Sequence, residues 1–411
     1  MAENTAETTT ETTTRADDTA IEAANVLTQL FQRAIEQPIK VTENSLRDGE
    51  QFPGVAYTVA DKIAIAQALA EVGIYGMSLG FPAVSQGERD TVKELMALNL
   101  KIPRIWAIAR LVKSDIDHVL ECGLSWLGTF VSTSDWHMRD KLRMTEEQVL
   151  ARMEEQIPYA IACGVNVAIG FEDASRTPLP RLLRLVKTAV DLGVHTIFIA
   201  DTVGILTPSA TYGLFSLLRK MVPCELATHF HNDLGMSTAN AIAALEAGAD
   251  LVDCTLAGLG ERAGNTPLEE LLVTLRVKYG RDLGMRLDKL PEAARILSEA
   301  AKMPMATNKP IFGDNVFSHE SGIHVHGLLA NPICYQPFPP ALIGREHRFI
   351  YGKHSGLASI AHLTRREGIE LSKSQLEQVL ERVKRTAESK VPVSEGDVLS
   401  WALAASQDMA S

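Results

Sequence analysis

From about residue 38 onward, short apolar segments rich in β-formers alternate with longer amphipathic ones. The short segments predict strands over Ile39–Glu43, Ile74–Leu79, Ile105–Arg110, Trp126–Ser132, Val165–Gly170, Thr196–Ala200, Leu226–His231 and Leu251–Leu256. Between them, stretches such as Ala60–Val72 and Glu146–Cys163 space their apolar residues as helices do. Eight strands, each followed by a helix, match one α/β (β/α)8 TIM barrel of about 250 residues, expected over residues 21–285. An open doubly wound sheet is the alternative. It often carries GxGxxG after its first strand, where this chain reads LRDGEQFPG.

The pattern changes on either side of the barrel. Residues 1–20 read MAENTAETTTETTTRADDTA, almost without large apolar side chains, and predict a disordered tail. Residues 286–411 predict small, mostly helical accessory subdomains. They hold a helical stretch, the polar His- and Gly-rich segment Phe312–Gly356, and helical patterns at Leu357–Glu367 and Lys373–Glu388.

Composition narrows the function. Hydrophobic residues make up 46% and charged residues 22% of 411, as in an ordinary globular chain. The net charge of −11 disfavours a nucleic-acid partner. No run of about 18 apolar residues predicts a membrane span, and the N-terminus lacks the basic and apolar regions of a signal peptide. Five scattered cysteines without a CxxC suit a reducing cytoplasm.

Barrel active sites form at the C-terminal ends of the strands, so the polar residues there carry the candidate chemistry. His229 and His231 in THFHND stand at i and i+2, which on a strand points both imidazoles to one face. Two polar rings entering an apolar barrel need partners. With Asp48 of RDGEQ as the carboxylate, they form a reasonable divalent-metal site with open positions. Zn, Mn, Co and Mg all suit such a site. Asn265 in GLGERAGN is either a further oxygen ligand or a turn residue.

RDGEQ, FEDASR, DTVGILTP, HFHNDLG, GLGERAGNTPLE and HESGIHVHGLL follow one another in order over roughly residues 38–360. Together they resemble the metal-dependent acyltransferase family of homocitrate synthase and 2-isopropylmalate synthase, most nearly the short nitrogen-fixation-type homocitrate synthases. The resemblance implies a Claisen-type condensation of acetyl-CoA with a 2-oxo acid, followed by thioester hydrolysis. It implies Asp48, His229 and His231 as metal ligands, Arg47 as the oxyanion-stabilising arginine with Gln51 beside it, and Thr202 at the substrate carboxylate. Glu172, His324 and Tyr351 match the acid–base residues. His324 and Tyr351 would enter the active site of a partner subunit, which implies a domain-exchanged homodimer. Asn232 and Asp233 are expected to orient the histidines.

Two positions depart from the family pattern. Ser78 in MSLGFP stands where the family usually has a glutamate, and Ala168 where lysine-pathway homocitrate synthases have an arginine. Loss of an acid at Ser78 motivates an alternative, a 2-phosphonomethylmalate or phosphinomethylmalate synthase in which Arg110 faces the head group. A 2-isopropylmalate synthase is a further alternative. A lyase of the hydroxymethylglutaryl-CoA type would carry a cysteine in the loop after strand eight, and GLGERAGN has none. A biotin-dependent carboxyltransferase would need a lysine on a mid-barrel strand, and VNVAIG has none. A catalytically silent ligand sensor is the rival of another class.

Overall fold

The computed structural model describes residues 21–407 apart from 23, 24 and 27. The tail expected over residues 1–20 lies outside the described residues. Eight parallel strands close into a barrel in chain order. They are β1 (Lys40–Glu43), β2 (Gly76–Ser78), β3 (Arg104–Arg110), β4 (Trp126–Ser132), β5 (Asn166–Glu172), β6 (Thr196–Asp201), β7 (Glu225–Phe230) and β8 (Leu251–Cys254). Closure falls to β1, which pairs with β8 from Lys40↔Leu251 to Glu43↔Cys254 and with β2 at Thr42↔Gly76.

Eight helices follow the strands: α1 (Val59–Val72), α2 (Gln86–Ala97), α3 (Lys113–Glu121), α4 (Glu146–Ala162), α5 (Leu179–Asp191), α6 (Pro208–Arg219), α7 (Ser237–Glu246) and α8 (Leu268–Tyr279). Local sequence fixes where several begin. Thr58 and Asp61 form a reciprocal capping box at α1, and Thr145 and Gln148 form another at α4. Both satisfy amides that the helix itself leaves unpaired.

The amino-terminal end of the barrel is sealed. Arg104 lies buried with its guanidinium 3.8 Å from the ring centre of Trp126. It forks onto Glu225, which also accepts from Lys40 at 2.8 Å. Ligands therefore reach the interior from the carboxyl ends of the strands.

The chain divides between residues 305 and 306. The expected barrel end at 285 falls short of this, because a ninth helix, α9 (Leu290–Ala301), packs on α1. It buries Leu290, Ala293, Ala294 and Leu297, too much apolar surface to leave in water.

Residues 306–407 group with the described residues before 32 as a second unit. It holds a parallel pair, β9 (Ser318–His319) and β10 (Arg348–Phe349), then α10 (Gly322–Ala330), α11 (Leu357–Arg366), α12 (Lys373–Glu388) and α13 (Glu395–Gln407). Ile360, Leu363, Val379, Val383 and Val398 form its core. The expected helices are α11 and α12; α10 and α13 are additional. Among the described residues, no helix is long and apolar enough to cross a membrane.

Candidate active site

A cavity of about 400 Å³ opens at the carboxyl ends of the barrel strands. Its lining includes Arg47, Asp48, Gln51, Glu172, Thr202, His229 and His231. Seven residues singled out in the sequence thus meet in one place.

Asp48, His229 and His231 each bring one ligand atom within 4.8 Å of the other two. Asp48 follows β1 in the turn Asn44–Gly49, whose amides at Arg47, Asp48 and Gly49 all donate to the Asn44 carbonyl. His229 Nε2 lies 3.4 Å from Asp48 Oδ2. The other nitrogen, Nδ1, is 2.8 Å from Asp253 Oδ2. Asp253 sits opposite His229 in the β7–β8 register, and it also accepts from Thr42 Oγ1 and Asn44 Nδ2, each at 2.8 Å. A carboxylate held this firmly fixes both tautomer and ring orientation, and leaves Nε2 free for a metal.

His231 stands one residue past the end of β7 and bridges to Asn265. Its Nδ1 is buried without a partner, as is Oδ1 of Asn265. Asn265 turns its amide nitrogen to Asp48 Oδ2 at 2.6 Å. Buried atoms that can offer a lone pair and lack a partner, beside a carboxylate, are what a cation would satisfy. The electrostatics agree. Burial would raise the Asp48 carboxyl, but Arg47 and the two imidazoles outweigh it and hold the group at about 2. Burial, with the neighbouring His229, drives His231 down to about 4. An ionised carboxylate and a neutral imidazole are the forms a metal requires.

Across the mouth, Glu172 ends β5. Lys141 grips it with Nζ 2.6 and 2.7 Å from its two oxygens, and the Ser132 hydroxyl donates to it as well. Lys141 comes from a π-helical turn, His137–Leu142, and His137 Nδ1 lies 3.6 Å from Glu172. Burial pushes the Glu172 carboxyl up, yet the Lys141 and Ser132 hydrogen bonds prevail and hold it below the usual range. Thr202 Oγ1 accepts from the Asp173 amide at 2.8 Å.

Arg47 donates through Nε to Asn44 Oδ1 at 3.1 Å and through Nη1 to Asp48 Oδ1 at 3.0 Å. Its guanidinium is thereby fixed beside the metal ligands.

The structure corrects several expectations. Arg110 does not face the cavity; its side chain is 63% exposed and forks onto Asp115 at 2.7 and 3.0 Å. Ser78 is fully buried, with its hydroxyl unpartnered, and is not among the lining residues. Asn232 and Asp233 do not hold the histidines: Asn232 caps Ser237, and Asp233 pairs with Arg262. The orienting carboxylate is Asp253, which no motif marked. The inward register of β8 beside His229 was its only signal.

In the second unit, Tyr351 packs into the core with Ile360 and Leu363, and burial pushes its phenol up to about 12. The tyrosine beside His324 is instead Tyr335, whose ring stacks on the imidazole at 4.1 Å between centres. Both side chains are exposed.

A family model described as HMGL-like matches residues 38–297. The chain belongs to the HMGL-like family. A second model, "Homocitrate synthase post-HMGL domain-like", matches residues 311–391, so both units of this HMGL-like chain have a counterpart. A 2-isopropylmalate synthase of Sulfolobus acidocaldarius is 41% identical over 89% of this chain and 95% of its own length. Homocitrate synthase AksA of Methanothermobacter thermautotrophicus is 40% identical over 85% and 89%. The crystal structure of the HMG-CoA lyase of Bacillus subtilis matches with a TM-score of 0.59 at 21% identity, over 67% of this chain and 97% of that one. That last likeness concerns the fold alone.

Proposed function

We propose that this HMGL-like protein is an acyltransferase of the homocitrate synthase type, condensing acetyl-CoA with a 2-oxo acid. The reading agrees with its relatives, which include a homocitrate synthase and a 2-isopropylmalate synthase. The observation that carries it is the meeting of Asp48, His229 and His231 with Arg47 and Glu172 in one cavity.

Asp48, His229 and His231, with the unpartnered Asn265 Oδ1 as a fourth ligand, would hold a divalent cation such as Zn, Mn, Co or Mg. Such an ion supplies Lewis-acid polarisation of a carbonyl, an effect of several kcal/mol. The protein's own groups do the rest. Arg47 offers a fixed positive charge where oxyanion charge develops, Gln51 lines the same rim, and Thr202 offers a hydroxyl to the substrate carboxylate. Glu172, kept ionised by Lys141, takes the proton from the acetyl methyl group. The methyl carbon then bonds to the keto carbon, whose oxygen becomes the hydroxyl. Water cleaves the thioester C–S bond, releasing CoA and a 2-hydroxy-2-carboxymethyl acid.

His324 and Tyr335 would serve as the remaining acid–base pair from a second subunit of a homodimer. Their exposure supports that role, as does Ile323 beside them at 74% exposed. Tyr351, tied into its own core, is not assigned to catalysis. The small-molecule substrates and the free cysteines fit a cytoplasmic enzyme.

The phosphonate alternative loses its support, since neither Ser78 nor Arg110 reaches the cavity. The test is release of free CoA thiol from acetyl-CoA with a divalent metal and a panel of 2-oxo acids. Turnover with at least one acid is expected. Tight binding of an acid without thiol release would instead identify a sensor.

A further inference from the structure

The cavity has two unlike halves. Asp48, His229, His231 and Asp253, the candidate metal ligands and the carboxylate that orients one of them, come from the arc β7–β8–β1. The arc β3–β6 faces it across the barrel. On that arc the lining includes Trp106, Ile108, Phe130 and Phe198, with Ala168 and Gly170 between them, and its polar groups are Thr129 and, at the strand end, Glu172. Among the described lining residues the cation on this half is Lys141, in the turn after β4, and Glu172 at the end of β5 holds it.

Every cation on the described lining is committed. Arg47 is paired with Asp48, Lys141 with Glu172, and Arg262 with Asp233. Arg104, two residues before Trp106 on β3, is sealed beneath the cavity on Glu225. A distal carboxylate or phosphonate on the 2-oxo acid would lose its water here and gain no opposite charge, a cost of several kcal/mol.

The apolar half is also built to be open. The Trp106 indole lies between two glycines. A Cβ at Gly76 would stand 3.0 Å from its ring, and so would one at Gly128. The large ring therefore lies against the strands instead of filling the cavity. At Gly170 a Cβ would make ordinary van der Waals contact with Phe130 and Phe198, nothing closer than 3.6 Å, at the cavity wall. The 400 Å³ volume is well above the about 150 Å³ that accepts benzene in an apolar protein cavity.

We infer that the 2-oxo acid taken by this site carries a bulky, uncharged apolar side chain, branched or aromatic, that packs on Trp106, Ile108, Phe130 and Phe198. The inference rests on the condensation reading above and names the substrate class for it. The head group lies at the metal side, and the side chain points to β3–β6.

The test is kcat/KM for the metal-loaded enzyme with acetyl-CoA and seven acids. They are pyruvate, 2-oxoisovalerate, 4-methyl-2-oxopentanoate, phenylpyruvate, 2-oxoglutarate, oxaloacetate and phosphonopyruvate. An acid with a branched or aromatic side chain should be preferred over each doubly charged acid by about 100-fold or more. Preference for 2-oxoglutarate, oxaloacetate, phosphonopyruvate or pyruvate overturns the inference while leaving the condensation reading intact. No thiol release with any acid counts against the condensation reading and the inference together. Gly170→Val provides a second measurement, since its methyls would add bulk to the cavity wall beside Phe130 and Phe198. It should lower the ratio of phenylpyruvate to pyruvate turnover by about 10-fold or more; an unchanged ratio overturns the assigned direction of the side chain. Gly170→Ala, which the backbone accommodates, should shift the ratio the same way by less.

Discussion

The Nδ1 atom of His229 lies 2.8 Å from the Asp253 carboxylate, and this contact turns Nε2 of the same ring toward Asp48. One buried aspartate on β8 thus decides which nitrogen of a β7 histidine is offered to a cation. Asp253→Asn keeps the shape and removes the charge. Metal affinity should fall by about 10- to 100-fold, measured by competition with a chromogenic chelator, while the circular dichroism spectrum stays that of the wild type. Unchanged affinity would show that His229 is held in place by packing alone.

Lys141 controls the ionisation of Glu172. The Glu172 carboxyl sits below its usual range because Lys141 and Ser132 outweigh its burial. His137, at 3.6 Å, is the other titratable group facing it, and Asp173 lies next along the chain. A base acts as its carboxylate, so activity is present above the folded pKa and lost as pH falls through it. Lys141→Met removes the charge and leaves burial, so the acid limb of the kcat/KM profile should move to higher pH. Lys141→Arg should leave the limb near its original position. A uniform drop at every pH would mean that Lys141 acts otherwise.

Tyrosine substitutions separate the two assignments in the second unit. Tyr335→Phe should lower kcat by about 10-fold or more, since the phenol beside His324 is lost. Tyr351→Phe should leave kcat within about twofold, because that ring serves a core. Tyr351→Ala should cost about 3–5 kcal/mol of stability, read from denaturant unfolding. The reverse pattern in kcat would restore Tyr351 to the active site.

Mixing subunits tests the shared site. Glu172→Gln and His324→Ala should each cut kcat by about 100-fold or more while metal content stays full. His229→Ala should lose metal and turnover together. Co-refolded Glu172→Gln and His324→Ala chains should regain activity, because some cavities receive both intact groups. No recovery would mean that each site is built from one chain.

Much of the barrel was legible from apolar spacing. β4 runs Trp126–Ser132, as its pattern predicts, and no end of the other strands differs by more than two residues. Ladder geometry explains His231. It was expected inside strand seven, but β7 stops at Phe230, and His231 bridges across to Asn265. The segment that forms α10 lies inside the stretch Phe312–Gly356, which its glycines and histidines marked as polar, although Ile323, Val325, Leu328, Leu329 and Ala330 make it more apolar than its surroundings. It folds as a helix where Gly322 backs onto Gly356 so tightly that a Cβ would lie 2.7 Å from the opposing Cα. Arg110 shares strand parity with Ile108 and so looked inward. At the strand end its side chain is captured by the carboxylate at the start of α3. Lys141 and Asp253 left no trace in the motifs, because their roles depend on which strands become neighbours.

Gly76 and Gly128 clasp the Trp106 ring from two adjacent strands, and neither touches the residues that would grip a metal. Any side chain added at either position would tilt the indole and redraw the floor under an incoming acid. The metal-binding groups on the far arc would keep their places. Selectivity and metal grip are thereby housed on separate staves of one barrel, so a lineage could trade one fuel for another by small-residue changes around a single indole, without disturbing its metal ligands.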